Sequence, residues 1–136
     1  MVRTNLTGYF LIARAFVPAF LRQGRGRVVN VTMNLETMQR RGFVPYGPAR
    51  AGAEALSRIM TEDLRPYGIA VNQLLPGGAT ATGMIPDGPR PAGLLAPEIM
   101  AAPIVFLASA EAEGLTGARI VAKDFAAWQK EWRSGG

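Results

Sequence analysis

Tyr67-Gly68-Ile69-Ala70-Val71-Asn72-Gln73-Leu74-Leu75-Pro76-Gly77-Gly78 is the stretch on which the fold turns. Residues 69–75 read as a strand, with Tyr67-Gly68 closing the element before it and Pro76-Gly77-Gly78 opening a loop at its C-terminal end. Upstream, Pro48 suits the first turn of a helix, where its missing N–H costs nothing, and that helix runs to about Leu64. It carries small residues (Ala49, Ala51, Gly52, Ala53 and Ala55) over which another backbone can approach closely. Earlier still, Arg27–Thr32 reads as a short strand, β-branched and apolar on both faces, as in a covered parallel sheet. Residues 6–21 form a helix that is apolar nearly all round, Arg14 being the main exception. Such a helix is buried on more than one side, and in a chain this small the second side is expected to belong to another subunit. Pro18 should kink it or remove one hydrogen bond, and Gly24-Arg25-Gly26 ends it. Downstream, Pro97–Ser109 is expected as a helix and Ala118–Ala122 as a last short strand. Residues 123–136, with Trp128 and Trp132, show no clear period and are expected to be an irregular tail.

Helix and strand alternate along the chain, which is the signature of a parallel α/β sheet. The expected architecture is a single partial Rossmann-like domain over residues 1–136, about three strands with helices on both faces. No G-x-G-x-x-G follows a strand and no acidic residue is placed for a ribose, so the glycine-fingerprint half of a doubly wound fold is missing. Two segments leave the C-terminal ends of strands, where open α/β sheets bind ligands: the polar run Met33–Val44 and the long stretch 78–95, rich in Gly, Pro, Ala and Thr.

Composition narrows the chemistry. The 136 residues include no cysteine and no histidine, which removes thiol nucleophiles, a Ser-His-Asp triad and the usual soft or imidazole metal ligands. Acid–base work would fall to Tyr, Asp, Glu, Lys or Arg. The net charge is +5, but the arginines are scattered and form no basic stripe interleaved with aromatics, so nucleic acid is not the expected partner. No run approaches the roughly 18 apolar residues of a membrane span, and the first residues lack a signal-peptide layout. A cytoplasmic location is expected.

Phe43-Val44-Pro45-Tyr46-Gly47-Pro48-Ala49-Arg50 places a phenol and a fixed cation four residues apart at a helix start. One turn apart, the two side chains leave the same face, and a guanidinium beside a phenol favours the phenolate. A tyrosine so placed can donate and accept a proton near neutral pH. An exposed aromatic and an exposed arginine at a helix N-terminus is the plain alternative.

In this order and spacing the chain resembles the second half of a short-chain dehydrogenase/reductase. Asn5-Leu6-Thr7-Gly8 is similar to the family's Asn-Leu-x-Gly helix motif. Gly26–Thr32 resembles the strand leading to the catalytic serine, and Tyr46-Gly47-Pro48-Ala49-Arg50 sits where the family has Tyr-x-x-x-Lys. Asn72 through Pro76-Gly77-Gly78 and Thr82 resembles the segment that lines the nicotinamide, while Phe106-Leu107-Ala108-Ser109 and Leu115-Thr116-Gly117 resemble later landmarks.

The resemblance implies an NAD or NADP cofactor and a small carbonyl or alcohol substrate. It gives Tyr46 the acid/base role, Arg50 the role of its electrostatic partner, Asn5 that of a water holder, and Asn34 that of a stand-in for the serine. Tyr46, Arg50, Pro76, Gly77 and Thr82 would contact the cofactor. It further implies a homo-oligomer through helices 6–21 and 48–64. Three departures stand out: Arg50 replaces the lysine, Met33 and Asn34 stand where the serine belongs, and the amino-terminal half is not in this sequence. The expectation is therefore an oxidoreductase impaired or inactive as this chain. A non-catalytic oligomerising module or the product of a truncated or decayed gene is the alternative.

Overall fold

In the computed structural model, which describes residues 1–85, 88 and 92–135, Gly26–Val31 (β1), Ile69–Leu75 (β2) and Arg119–Val121 (β3) form one parallel sheet. The strand order is β1-β2-β3, with Gly26 opposite Ile69 and Gln73 opposite Arg119. Successive side chains on a strand point to opposite faces, so each strand feeds two layers. On one face Val28, Ile69 and Val71 pack with Met60 and Leu64 of α3 (Tyr46–Leu64) and with Val17 and Phe20 of α1 (Gly8–Gln23). On the other, Val29, Leu74 and Ile120 meet Phe106 and Leu107 of α4 (Ala101–Ala108) and Phe125. Leu74 and Ile120 are wholly enclosed; burying side chains of this size stabilises by about 1.5–3 kcal/mol each. The expected three-stranded parallel sheet, with helices on both faces, is the observed one.

The face under α3 is not uniformly apolar. Asn30, Gln73 and Arg119 are successive partners across the three strands, forming a polar row beneath the helix. Asn30 donates to Ser57 Oγ at 2.7 Å, Gln73 donates to the Glu54 carbonyl at 3.1 Å, and Arg119 Nε donates to the Glu54 carboxylate at 2.7 Å. Glu54 is only 4% exposed, and a buried carboxylate is tolerable only when paired in this way.

Several local expectations change. Residues 123–136 are not an irregular tail: Phe125–Arg133 form helix α5. Phe125, Trp128 and Trp132 lie at i, i+3 and i+7, which is one helical stripe, and Trp128 packs edge-on against Phe106 with ring centroids 5.6 Å apart. The run Met33–Val44 contains the short helix α2 (Leu35–Met38). Residues 97–109 split into a 3₁₀ turn, Pro97–Met100, followed by α4. The first helix begins as a π-turn, Arg3–Thr7, and α1 continues through Pro18 to end at Gly24, whose φ of 68° is the left-handed cap that glycine allows. No residue of α1 is fully buried, so within one chain its second face remains open. The small-residue face of α3 has an occupant from the same chain: a Cβ on Gly52 would stand 3.1 Å from Leu6 of the π-turn.

The stretch 78–95 is held at its base by a parallel bridge between Thr80 and Leu95, with Ala81 N–H donating to the Leu95 carbonyl at 2.9 Å. Residues 86, 87 and 89–91 of this expected substrate loop lie outside the described residues, as does Gly136.

Candidate active site

The C-terminal ends of β1 and β2 and the start of α3 lie at one edge of the sheet, and Asn34, Tyr46, Arg50, Pro76 and Gly77 sit on or just after these elements. Tyr46 is the first residue of α3, half-buried, with its ring 6.3 Å from that of Phe43. Its hydroxyl makes no hydrogen bond among the described residues, so it is free to take an exogenous partner. The helix is set close against α2: a Cβ on Gly47 would come 2.0 Å from the Met38 carbonyl oxygen, so only glycine permits this approach. Asn34, the residue before α2, is extended, with φ −63° and ψ 143°. The Asn34 carbonyl accepts from the Thr37 and Met38 N–H groups, each at 3.1 Å. Its carboxamide has no partner among the described residues.

Arg50 is placed differently from the sequence expectation. It is buried, at 7% exposure, and its guanidinium does not hydrogen-bond Tyr46. Nη1 donates to the Tyr9 hydroxyl at 2.7 Å, Nη2 donates to the Val31 carbonyl, and the guanidinium carbon sits 5.4 Å from the Tyr9 ring centroid. Tyr9 in turn donates to the same Val31 carbonyl at 2.8 Å. The Thr32 N–H points inward to the Leu74 carbonyl of β2, at 2.8 Å. The polar groups of consecutive strand residues point opposite ways, so the Val31 carbonyl faces the outer edge of the sheet. Tyr9 and Arg50 thus satisfy an acceptor that no neighbouring strand of this chain reaches. Nε of Arg50 is buried without a partner.

Asn5 lies in the π-turn, half-buried, with its carboxamide donating to the Met1 carbonyl at 3.1 Å. The turn packs on α3 through Leu6 and Gly52, which brings Asn5 to the same helix as Tyr46 and Arg50 without a direct bond to either. Pro76 and Gly77 follow β2. Gly77 has φ 94°, and a Cβ there would stand 2.6 Å from Val121 Cγ1; the Pro76 carbonyl accepts from Lys123 N–H at 3.1 Å. Thr82 is exposed, and its hydroxyl accepts weakly from Met84 N–H. Neither His nor Cys exists to ligate a metal, and no acidic cluster suited to one occurs among the described residues.

Tyr9, Glu54 and Arg119, and the role of Thr32, escaped the sequence reading of this region. Tyr9 was detectable as Asn5 plus four, on the same helical face. Thr32, Glu54 and Arg119 were not, because their association is tertiary. Thr32 Oγ1 donates to Glu54 at 2.9 Å, Arg58 donates to it at 2.9 Å, and Arg119 Nη2 reaches the Met33 carbonyl at 2.9 Å. Burial alone would raise the Glu54 pKa, but hydrogen bonds from Arg119, Thr32 and Arg58 outweigh it and hold the carboxyl below an ordinary glutamate.

Of the residues expected to contact a nicotinamide dinucleotide, Tyr46 keeps a free hydroxyl and Thr82 an exposed one, while the Pro76 carbonyl is taken by Lys123 N–H. Arg50 fits poorly, with its donors already committed to Tyr9 and Val31.

Comparison with known proteins agrees with this fold. The family model described as short chain dehydrogenase matches residues 1–89. The chain is 32% identical over 127 residues to a 3-oxoacyl-[acyl-carrier-protein] reductase of Vibrio cholerae, covering 86% of this chain and 52% of the relative. It is 30% identical over 131 residues to a (3R)-3-hydroxyacyl-CoA dehydrogenase of Canis lupus familiaris, covering 88% and 51%. Among solved structures, a gluconate 5-dehydrogenase from Burkholderia cenocepacia in complex with NADP and tartrate superposes with a TM-score of 0.76 at 25% identity, over 89% of this chain and 52% of that one. The chain therefore spans about half the length of the relatives it matches. By the family match and the fold together, this chain belongs to the short-chain dehydrogenases.

Proposed function

We propose that this chain supplies the substrate-facing half of an NAD(P)-dependent oxidoreductase site that interconverts a small carbonyl compound and its alcohol, and that by itself it turns over poorly or not at all. The observation that carries the reading is the free Tyr46 hydroxyl at the start of α3, together with the unpartnered Asn34 carboxamide just before α2. Tyr46 would give a proton to, or take one from, the substrate oxygen, and Asn34 would donate a hydrogen bond to that oxygen, a role Met33 cannot fill. When bound, the cofactor supplies or accepts hydride. Tyr46, Pro76, Gly77 and Thr82 would hold its nicotinamide end, and Asn5 would hold a water behind Tyr46. Arg50 would act on Tyr46 only through its charge, since its hydrogen bonds go elsewhere. The named relatives act on carbonyl or alcohol groups, which supports the substrate class. We assign a cytoplasmic setting without nucleic acid, the latter on the scatter of the arginines; no helix among the described residues is long and apolar enough to cross a membrane.

The test is a fluorescence titration of NADPH into the chain, followed by carbonyl reduction read as NADPH oxidation. No saturable binding is expected below about 1 mM, the upper end of ordinary enzyme affinities. Binding in the micromolar range with turnover would overturn the impairment; failure of a Tyr46→Phe change to lower any measured turnover would overturn the site.

A second reading, an oligomerising module, is favoured by one feature. Phe10, Leu11, Ile12 and Phe16 of α1 and Ile59 of α3 are exposed. An apolar groove of about 470 Å³ runs between α1 and the open edge of β1, away from Tyr46. Contiguous apolar surface of this kind marks an interface. The helices 6–21 and 48–64 would then form the seam of a homo-oligomer. Light scattering on the eluting chain should give a dimer or tetramer, and a well-folded monomer counts against it.

A further inference from the structure

The polar row under α3 ends at the residues that would hold the substrate oxygen. Glu54, near the middle of α3, is reached from three elements at once: Thr32 Oγ1 from the end of β1 at 2.9 Å, Arg119 Nε from β3 at 2.7 Å, and Arg58 from its own helix at 2.9 Å. Arg119 then uses Nη2 to hold the Met33 carbonyl at 2.9 Å. Two consecutive residues at the end of β1 are therefore gripped, Thr32 by its side chain and Met33 by its backbone. Both grips run through one ion pair whose carboxylate side chain is 3% exposed. The next residue is Asn34, whose own side chain is unpartnered and whose backbone starts α2.

We infer that Glu54 and Arg119 are positioning residues that lock the segment Thr32–Asn34, and so aim the Asn34 carboxamide at the substrate oxygen. The inference rests on the reading of Asn34 given above, but the lock itself does not. A guanidinium suits this task because its fork can serve a carboxylate and a carbonyl at once, whereas an ammonium of a lysine would reach one of them well. Arg58 adds little, because it is 66% exposed and its pair with Glu54 is solvated on one side. Among the described residues the charged partners of Glu54 are Arg58 and Arg119; Thr32 and Gln73, which approach it from β1 and β2, are neutral.

The lock is tested by amide exchange on the 136-residue chain, with no substrate or cofactor present. In Glu54→Gln and in Arg119→Met, protection of residues 32–38 should fall at least tenfold relative to wild type, while residues 69–75 of β2 keep theirs. Arg58→Ala should leave both unchanged. Arg119→Lys should restore part of the protection. In the wild type, protection of residues 32–38, corrected for intrinsic exchange, should fall on acidification through the range where Glu54 takes up a proton, and Glu54→Gln should show no such step. If Glu54→Gln or Arg119→Met does not fold, the wild-type acid step and the Arg119→Lys result decide the matter. Unchanged protection at 32–38, or a loss spread evenly over β1 and β2, overturns the inference. Loss confined to residues 32–38, in a protein where Tyr46→Phe fails to lower any measured turnover, would keep the lock and sink the reading of the site instead.

Discussion

Arg50 Nη1 donates to the hydroxyl of Tyr9 at 2.7 Å, and both residues donate to the Val31 carbonyl at the outer edge of β1. The i, i+4 spacing of Tyr46 and Arg50 suggested a phenol with its own cation; folding gives that cation to a different phenol, forty-one residues away in sequence. Tyr9→Phe removes one donor to Val31 and leaves Nη1 of a buried guanidinium without an acceptor. It should destabilise the chain by about 1–3 kcal/mol in urea unfolding, the usual cost of an orphaned buried polar group. Arg50→Lys should cost about as much, since one ammonium cannot reproduce both bonds, and the double variant should cost less than the sum of the two. Additive losses would show that the clasp is not a unit.

Stability should fall in acid through Glu54. Its folded pKa is lowered from an ordinary glutamate's 4.5 by Arg119, Thr32 and Arg58 acting against burial. A group with a depressed folded pKa binds a proton more readily in the unfolded chain. Its contribution is therefore complete above the unfolded pKa, shrinks as the pH drops past it, and is gone below the folded value. Urea midpoints measured from pH 7 down to pH 3 should decline, and Glu54→Gln should flatten that decline while lowering stability at pH 7.

Tyr46→Phe separates chemistry from structure. The hydroxyl has no hydrogen-bond partner among the described residues, so its removal should change stability by no more than about 0.5 kcal/mol. Where turnover is measurable it should drop by a factor of about 10²–10⁴, the usual contribution of a positioned acid/base. A large loss of stability would show instead that the hydroxyl is structural.

Gly47→Ala tests the contact that sets Tyr46 and Asn34 relative to each other. The added methyl would lie 2.0 Å from the Met38 carbonyl oxygen, so α2 and the start of α3 must part. The cost should be about 1–3 kcal/mol, as for other overpacked sites, with the Asn34 and Tyr46 resonances shifted most. A neutral result would mean that α2 moves freely.

Phe125→Ala tests the C-terminal helix. Phe125 is buried, with its ring 5.5 Å from Phe106, and truncating such a residue should cost about 3–5 kcal/mol. A loss under about 1 kcal/mol would show that α5 is loosely attached.

The parallel sheet was legible because its signals are local: runs of β-branched residues, a Pro at a helix start, and Pro-Gly after a strand. The same locality put Tyr46 at the start of a helix and Pro76 and Gly77 just after a strand, where the structure has them. Helix α5 was missed although Phe125, Trp128 and Trp132 are helically spaced, because its other residues are polar or alanine and the stripe is only two turns long. The Glu54–Arg119 pair could not be read at all, since sixty-five residues separate its members and nothing local links them. Arg50 was located correctly and its partner was not: a spacing says which face a side chain leaves from, but a seven-atom side chain chooses its partner in three dimensions.

The bridge between Thr80 and Leu95 pinches shut the base of the segment that follows β2. A loop closed at its neck is mechanically insulated from what carries it. Lengthening its tip would add only about 0.6 kcal/mol of closure entropy per doubling. Changes of length or sequence beyond that neck would therefore leave Pro76, Gly77 and the strand beneath them in register, and under the proposed function selectivity could vary apart from the scaffold.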